Sequence, residues 1–201
     1  MDRDDLLRSL GTRVSDERVL AAMAVVPREL FVDSQLAGAA YADCPLPIGG
    51  GQTISQPAVV AGMCQALDLR EDERVLDVGT GSGYHAAVMS RLCRHVFGIE
   101  LDPLLAAGAE RALAAAGIDN VTVVAGDGAL GLPSQAPFDA INVAATARDD
   151  VPAALEAQLA PGGRLIAPVV RGDDERLLFV RRTPAGLERR WLQAVRFVAL
   201  R

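Results

Sequence analysis

Residues Arg74–Glu100 read RVLDVGTGSGYHAAVMSRLCRHVFGIE. A short apolar strand, Val75, Leu76 and Val78, runs into the glycine loop Gly79-Thr80-Gly81-Ser82-Gly83. A helix follows, then a second apolar strand ending in Glu100. Glycines let the backbone turn tightly and approach a ligand without side-chain obstruction. The helix beyond the loop points its N-terminal N–H groups at that ligand. An acid about 20 residues beyond such a loop stands where a ribose hydroxyl is held. The stretch is therefore a nucleotide-type binding unit.

Downstream, the same alternation of strand and helix continues. A helix over Pro103–Ala116 precedes strand Val121–Ala125, which ends in Gly126-Asp127-Gly128. Strand Phe138–Ala144, a helix near Pro152–Leu159, the turn Pro161-Gly162-Gly163 and strand RLIAPVV come next. RLLFVRR and LQAVRFVAL then form an antiparallel pair about the turn Pro184-Ala185-Gly186. Alternation implies a parallel sheet covered by helices on both faces. Upstream, residues Asp2 to about Leu10 and a segment capped by Asp16 have helical spacing. From Ser34 to Gln56 that periodicity fails. Pro45, Pro47 and Gly49-Gly50-Gly51 predict one long ordered loop. The expected organisation is a single domain, with residues 1–56 as an extension on a 57–201 core.

Composition excludes several functions. Half of the 201 residues are hydrophobic and the net charge is −6, which argues against general nucleic-acid binding. The arginines Arg181, Arg182, Arg189 and Arg190 read as a solvated hairpin face. No apolar run approaches the roughly 18 residues that span a membrane, and the charged N-terminus is no secretory signal. A cytoplasmic monomer is expected. Cys44, Cys64 and Cys93 form no CxxC pair and read as free thiols. The chain has no lysine, so it has neither a P-loop lysine nor a Schiff-base lysine. With only His85 and His95, no metal site is expected.

The ligand follows from the strand ends. A dinucleotide site prefers G-x-G-x-x-G. Here the glycines alternate, and Asp77 stands two residues before the first. S-adenosylmethionine brings no diphosphate to neutralise. Asp77 is placed to act on its ammonium, directly or through water. Glu100 can accept from both ribose hydroxyls, and Asp127 from the adenine amino group. Gly79, Gly81, Gly83 and Gly128 admit close backbone approach, and Thr80, Ser82 and Leu101 complete the candidate cofactor shell.

The segments VPRELFV (26–32), AYADCPLPIGGGQTISQP (40–57), DVGTGSGYHAAVMS, GDGALGLPSQAPFDAI (126–141), LEAQLAPGGRLIAPV (155–169) and VRFVAL (195–200) give a further constraint. Over nearly its whole length the chain resembles the protein-L-isoaspartate O-methyltransferase family. The PLPIGxGQTISQP segment is specific, because it is not a general methyltransferase motif. The resemblance implies the class I methyltransferase fold, a Rossmann-like doubly wound seven-stranded sheet with its last strand antiparallel. It implies S-adenosylmethionine as cofactor and isoaspartyl residues of damaged proteins as substrate. It places the family's active serine on Ser55, with Thr53, Ile54 and Gln56 as substrate contacts. The chain departs from the family at Asp77-Val78-Gly79, usually E-I-G, at Asn142, usually aliphatic, and at Ala199, usually proline.

The implied chemistry is undemanding. An isoaspartyl α-carboxylate is ionised at pH 7 and needs no general base. It needs alignment with the methyl carbon and sulfur. The N-terminus of the helix after Pro57, with the Thr53 and Ser55 hydroxyls, is expected to hold it. Ser55 then orients rather than abstracts a proton, although plain capping explains a serine there too. His85 is read as a residue lining the site. The alternatives are a carboxyl methyltransferase for one biosynthetic peptide, a cofactor-binding protein without catalysis and, least favoured, a dehydrogenase.

Overall fold

In the computed structural model, which describes residues 1–200, the chain opens with helices α1 (Arg3–Leu10) and α2 (Glu17–Val25). Each begins where a carboxylate satisfies an orphan amide. Asp2 accepts from Asp5 N at 2.8 Å and Asp16 from Arg18 N at 3.0 Å. Two short 3₁₀ turns, Arg28–Phe31 and Ser34–Ala39, lead into β1 (Leu46–Gly49) and β2 (Gln52–Ile54). The expected long loop is therefore a 3₁₀ turn followed by a small antiparallel hairpin. Its tip is Gly49-Gly50-Gly51, all at positive φ (93°, 57° and 72°), where other residues are strained. Helix α3 (Pro57–Leu67) then starts on proline.

The alternating part holds β3 (Arg74–Val78), α4 (Tyr84–Met89), β4 (His95–Glu100), α5 (Pro103–Ala115), β5 (Val121–Ala125) and β6 (Phe138–Val143). The two-residue β7 (Ala147–Arg148), α6 (Ala153–Ala157), β8 (Leu159–Arg171), β9 (Asp174–Thr183) and β10 (Gly186–Ala194) complete it. The sheet runs β10-β9-β8-β6-β3-β4-β5, with β7 beside β8. Strands β8, β6, β3, β4 and β5 are parallel; β9 runs antiparallel to β8, and β10 antiparallel to β9. The chain leaves β3 toward β4 and returns to β6 on its other side. The ligand crevice of a doubly wound sheet opens at such a reversal.

Two sequence expectations change here. Pro161-Gly162-Gly163 does not end a helix and start a strand; it lies inside β8, where the pairing with β6 slips between Phe138 and Ala140. The final strand stops at Ala194, so 195–200 leave the sheet. Thr146 N donates to Val198 O at 2.7 Å and Leu200 N to Thr146 O at 2.8 Å. The terminal segment thereby folds back toward the C-terminal ends of the parallel strands.

Strand parity assigns the two sheet faces. Val75 and Ala140 join a core with Leu6, Leu10, Met23, Val60 and Tyr84, so the first 56 residues share this layer. Leu76, Val78, Ile141 and Val143 face the other layer, with Leu155 and Leu159. A forked ion pair pins the opposite end of the sheet. Arg164 reaches both Glu73 oxygens at 2.6 and 2.8 Å, and the carbonyls of Leu67 and Asp68. Among the described residues no helix is long and apolar enough to cross a membrane, and no cluster of metal-ligating side chains occurs.

Candidate functional site

The glycine loop is fastened from below. Gly79 N donates to Ile99 O at 2.9 Å, and Gly81 N to Glu100 Oε2 at 2.8 Å. Glu100 Oε1 accepts from Asp102 N at 3.0 Å. Gly79, Gly81 and Gly83 all stand at positive φ, which explains their alternation. The Glu100 carboxylate thus fixes the loop with one backbone bond to each oxygen. Each oxygen keeps an accepting site for a ligand hydroxyl.

A crevice of about 240 Å³ opens above this loop, lined by Gly79, Glu100, Leu101 and Gly128 among the sequence-predicted residues. Leu101 is 48% exposed, so it offers an apolar edge to a flat ligand. Gly128 is sterically required, since a Cβ there stands 2.6 Å from Val78 Cγ1. Asp127 is exposed at the rim rather than in the lining, and its Oδ1 caps Ala129 N at 2.9 Å. Gly81 and Ser82 turn to a different cavity of about 450 Å³, with Phe31, Ile48 and Leu105. Thr80 is buried, its hydroxyl donating to Asp77 O at 3.0 Å, and Gly83 starts α4. These two shape the loop without lining the crevice.

Asp77 is not a surface contact for an ammonium. It is wholly buried on the face of β3 that α4 covers. Its in-register neighbour on β6 is Asn142, whose Nδ2 donates to Asp77 Oδ1 at 2.7 Å. The same Nδ2 lies 3.2 Å from His85 Nδ1. Burial pushes the Asp77 carboxyl up to about 6, opposed by the Asn142 and Thr80 hydrogen bonds and reinforced by Glu100. Burial alone lowers His85 to about 3. His85 is therefore neutral, and it lines neither the glycine-loop crevice nor the Ser55 cavity. Asp77 Oδ2, Asn142 Oδ1 and His85 Nε2 have no partner. Strand parity in the sequence places Asp77 and Asn142 on the Val75 face, which is the signal for their burial.

Ser55 and Thr53 border a second cavity of about 210 Å³, with Gln56, Ala144 and Val198. Ile54 is not in it. The β2 alternation turns Ile54 inward, 3% exposed, opposite Leu46. The helix N-terminus is also not open to an anion. Pro57 has no N–H, Ala58 N is held by Asp43 Oδ1 at 2.9 Å, and Val59 and Val60 donate to Gln56 O. Ser55 precedes the cap, which is Gln56, so its hydroxyl is not spent on capping. What the cavity offers is that hydroxyl, the Thr53 hydroxyl, the amide of Gln56 and the exposed Arg196 at its border.

Two residues that hold this geometry, Arg28 and Glu175, escaped the sequence. Arg28 is fully buried, stacked on Tyr84, and its Nη2 donates to Ser55 O at 2.9 Å. Burial lowers its pKa. Glu175 Oε1 accepts from Thr146 Oγ1 at 2.6 Å and from Phe197 N at 2.8 Å. This bond set ties down the terminal segment, whose Val198 borders both the Ser55 cavity and the glycine-loop crevice. The segment matched in the sequence as VRFVAL, but an alternating apolar pattern signals a strand, not a clasp.

The residues present fit S-adenosylmethionine: an anchored glycine loop, a carboxylate with accepting capacity and an apolar edge share one crevice. Comparison with known proteins agrees. The sequence profile of the Protein-L-isoaspartate(D-aspartate) O-methyltransferase family matches residues 1–201. A protein-L-isoaspartate O-methyltransferase of Myxococcus xanthus is 53% identical over 181 residues, 90% of this chain and 84% of that one. One from Methanothrix thermoacetophila is 53% identical over 172 residues, 84% of this chain and 81% of that one. A solved protein-L-isoaspartate O-methyltransferase superposes with TM-score 0.89 at 31% identity, over 98% of this chain and 65% of that chain. A Plasmodium falciparum structure, described as a putative protein-L-isoaspartate O-methyltransferase in complex with S-adenosyl-L-homocysteine, gives TM-score 0.89 at 26% identity. It is covered to 99%, and this chain to 100%.

Proposed function

This chain belongs to the protein-L-isoaspartate(D-aspartate) O-methyltransferase family, and from that premise we propose that it methylates the α-carboxylate of L-isoaspartyl residues in damaged proteins. S-adenosylmethionine supplies an electrophilic methyl group when bound. Gly79, Glu100, Leu101 and Gly128 would hold it, and Asp127 would be the acceptor for its adenine amino group. Asp77 acts from beneath, through the loop it supports. Ser55, with Thr53 and Gln56 beside it, orients the acceptor carboxylate. No side chain has to remove a proton, because the nucleophile is already ionised. The methyl ester then loses methanol to the neighbouring backbone nitrogen, giving a succinimide that hydrolyses without the enzyme.

One observation supports this reading: Val198 borders both the Ser55 cavity and the glycine-loop crevice, so the proposed acceptor and donor sites are neighbours. The net charge of −6 favours a protein that does not bind nucleic acid in general, and the three free thiols favour a reducing compartment such as the cytoplasm. The test is methyl transfer from labelled cofactor to an isoaspartyl peptide and to its aspartyl counterpart. Transfer to the first alone is expected; transfer to neither refutes the proposal. Ser55→Ala is expected to lower kcat at least about 10-fold while cofactor affinity holds, as loss of positioning does. The rival reading, a dedicated biosynthetic peptide, has no observation in its favour.

A further inference from the structure

The cavity at Ser55 does not end at the serine. A larger groove of about 680 Å³ continues from it, and Gln56, Val59, Ala194 and Val195 border both. The floor is α3, where Ala58, Gly62 and Ala66 are spaced four apart and so share one face. A Cβ on Gly62 would stand 3.4 Å from Gln193 Nε2, so small side chains keep this floor low. The opposite wall is the end of β10, from Arg190 to Ala194.

Charge distinguishes this groove from the rest of the surface. The chain carries a net −6, yet no carboxylate lines either the groove or the Ser55 cavity. Three arginines border them: Arg13, Arg190 and Arg196. Arg13 is already paired with Asp43 at 3.0 Å. Arg190 and Arg196 are exposed and have no ion-pair partner among the described residues. The Arg190 guanidinium lies 5.4 Å from the Phe179 ring centroid, which holds it in place without neutralising it. Glu188, two residues before Arg190 on β10, lies opposite Arg181 on β9.

The dimensions suit an extended polypeptide. Arg190 precedes Ala194 by four residues, about 13 Å at a strand's rise. An extended peptide leaving the Ser55 cavity covers that distance in about four residues.

We propose that this groove receives one flank of the substrate polypeptide, and that Arg190 and Arg196 favour flanks carrying aspartate or glutamate near the isoaspartyl residue. The inference rests on the assignment of Ser55 to the acceptor site and adds a sequence preference to it. Exposed charge pairs are individually weak, and two acting together give a preference of roughly 2- to 30-fold.

The experiment uses the full chain, labelled cofactor and twelve-residue peptides with a central isoaspartate. Four positions on one flank or the other carry glutamate, glutamine or lysine. On one flank the glutamate peptide is expected to have the lowest KM and the lysine peptide the highest. The gap narrows between 20 and 300 mM salt. The double variant Arg190→Glu, Arg196→Glu is expected to reverse the order, with thermal melting confirming that it folds. Transfer to all peptides with equal KM on both flanks overturns the groove alone, as does a preference that charge reversal leaves unchanged. Absence of transfer to every peptide overturns the groove and the isoaspartyl reading together.

Discussion

Arg28, fully buried at the start of the first 3₁₀ turn, donates from Nη2 to the carbonyl of Ser55 at 2.9 Å. Its Nε reaches Ala40 O at 2.8 Å, so one guanidinium ties the N-terminal turns to the segment carrying the proposed acceptor serine. Lysine cannot reproduce this fork, since it presents a point charge in place of a planar set of donors. Arg28→Lys is expected to lower kcat on an isoaspartyl peptide at least about 10-fold, with cofactor affinity nearly unchanged. It also costs about 2–4 kcal/mol of stability, because two buried carbonyls lose a charged donor. Calorimetric titration and denaturant melts measure the two effects. Unchanged kcat in the folded variant separates Arg28 from the site.

Asn142 and Asp77 predict a pH signature. Asp77 titrates near 3.9 unfolded and at about 6 when buried. Between these values the native state holds the extra proton. Stability therefore falls as pH rises from about 4 through 6, by up to roughly 3 kcal/mol, and stays at the lower level above. Asn142→Leu removes the hydrogen bond that opposes this shift. The expected loss is about 1 kcal/mol at pH 5, where Asp77 is protonated, and about 2–3 kcal/mol at pH 8. Urea melts at the two pH values decide it; equal losses separate Asn142 from the Asp77 titration.

What was legible in the sequence was local. Glycines at alternate positions encode positive φ, and an apolar run marks the end of a strand, so the Gly79–Gly83 turn and the strand-end positions of Glu100 and Gly128 were readable. Residues whose roles depend on distant partners were not. Arg28 sits in RELF, a stretch that reads as surface, and its burial is set by Ser55, Ala40 and Tyr84 from later segments. Ser55 is singled out by the family resemblance alone, and the capping of Ala58 by Asp43, which closes the helix end to an anion, comes from 15 residues upstream. Ile54 was grouped with its neighbours, although period-two alternation in β2 turns it into the core.

The terminal clasp has its own test. Glu175 joins Thr146 and Phe197 through a single carboxylate oxygen, and Val195 N donates to Glu175 O at 3.0 Å. Glu175→Ala removes the two side-chain bonds and leaves the backbone bond. Amide exchange over residues 195–200 is expected to quicken at least about 10-fold, with less change in β3 and β4, because local opening draws on local bonds. KM for the peptide and Kd for the cofactor product should both rise, since Val198 borders both cavities. Faster exchange with both constants unchanged excludes a role for the clasp in binding.

Glu100 carries two tasks, and one substitution separates this from a simple ribose contact. Its oxygens accept from Gly81 N and Asp102 N, so they hold the glycine loop before any ligand arrives. Glu100→Gln keeps the shape but turns an amide N–H₂ toward one of these donors. The loop loses a charge-assisted bond worth about 1.5–3 kcal/mol, and the crevice loses an anionic acceptor. Affinity for S-adenosylhomocysteine is expected to fall roughly 10- to 150-fold by calorimetry. Exchange at the Gly81 amide should accelerate even without ligand, an effect that loss of a ribose contact alone does not produce. Weaker binding with an unaltered Gly81 amide assigns Glu100 to the ligand only.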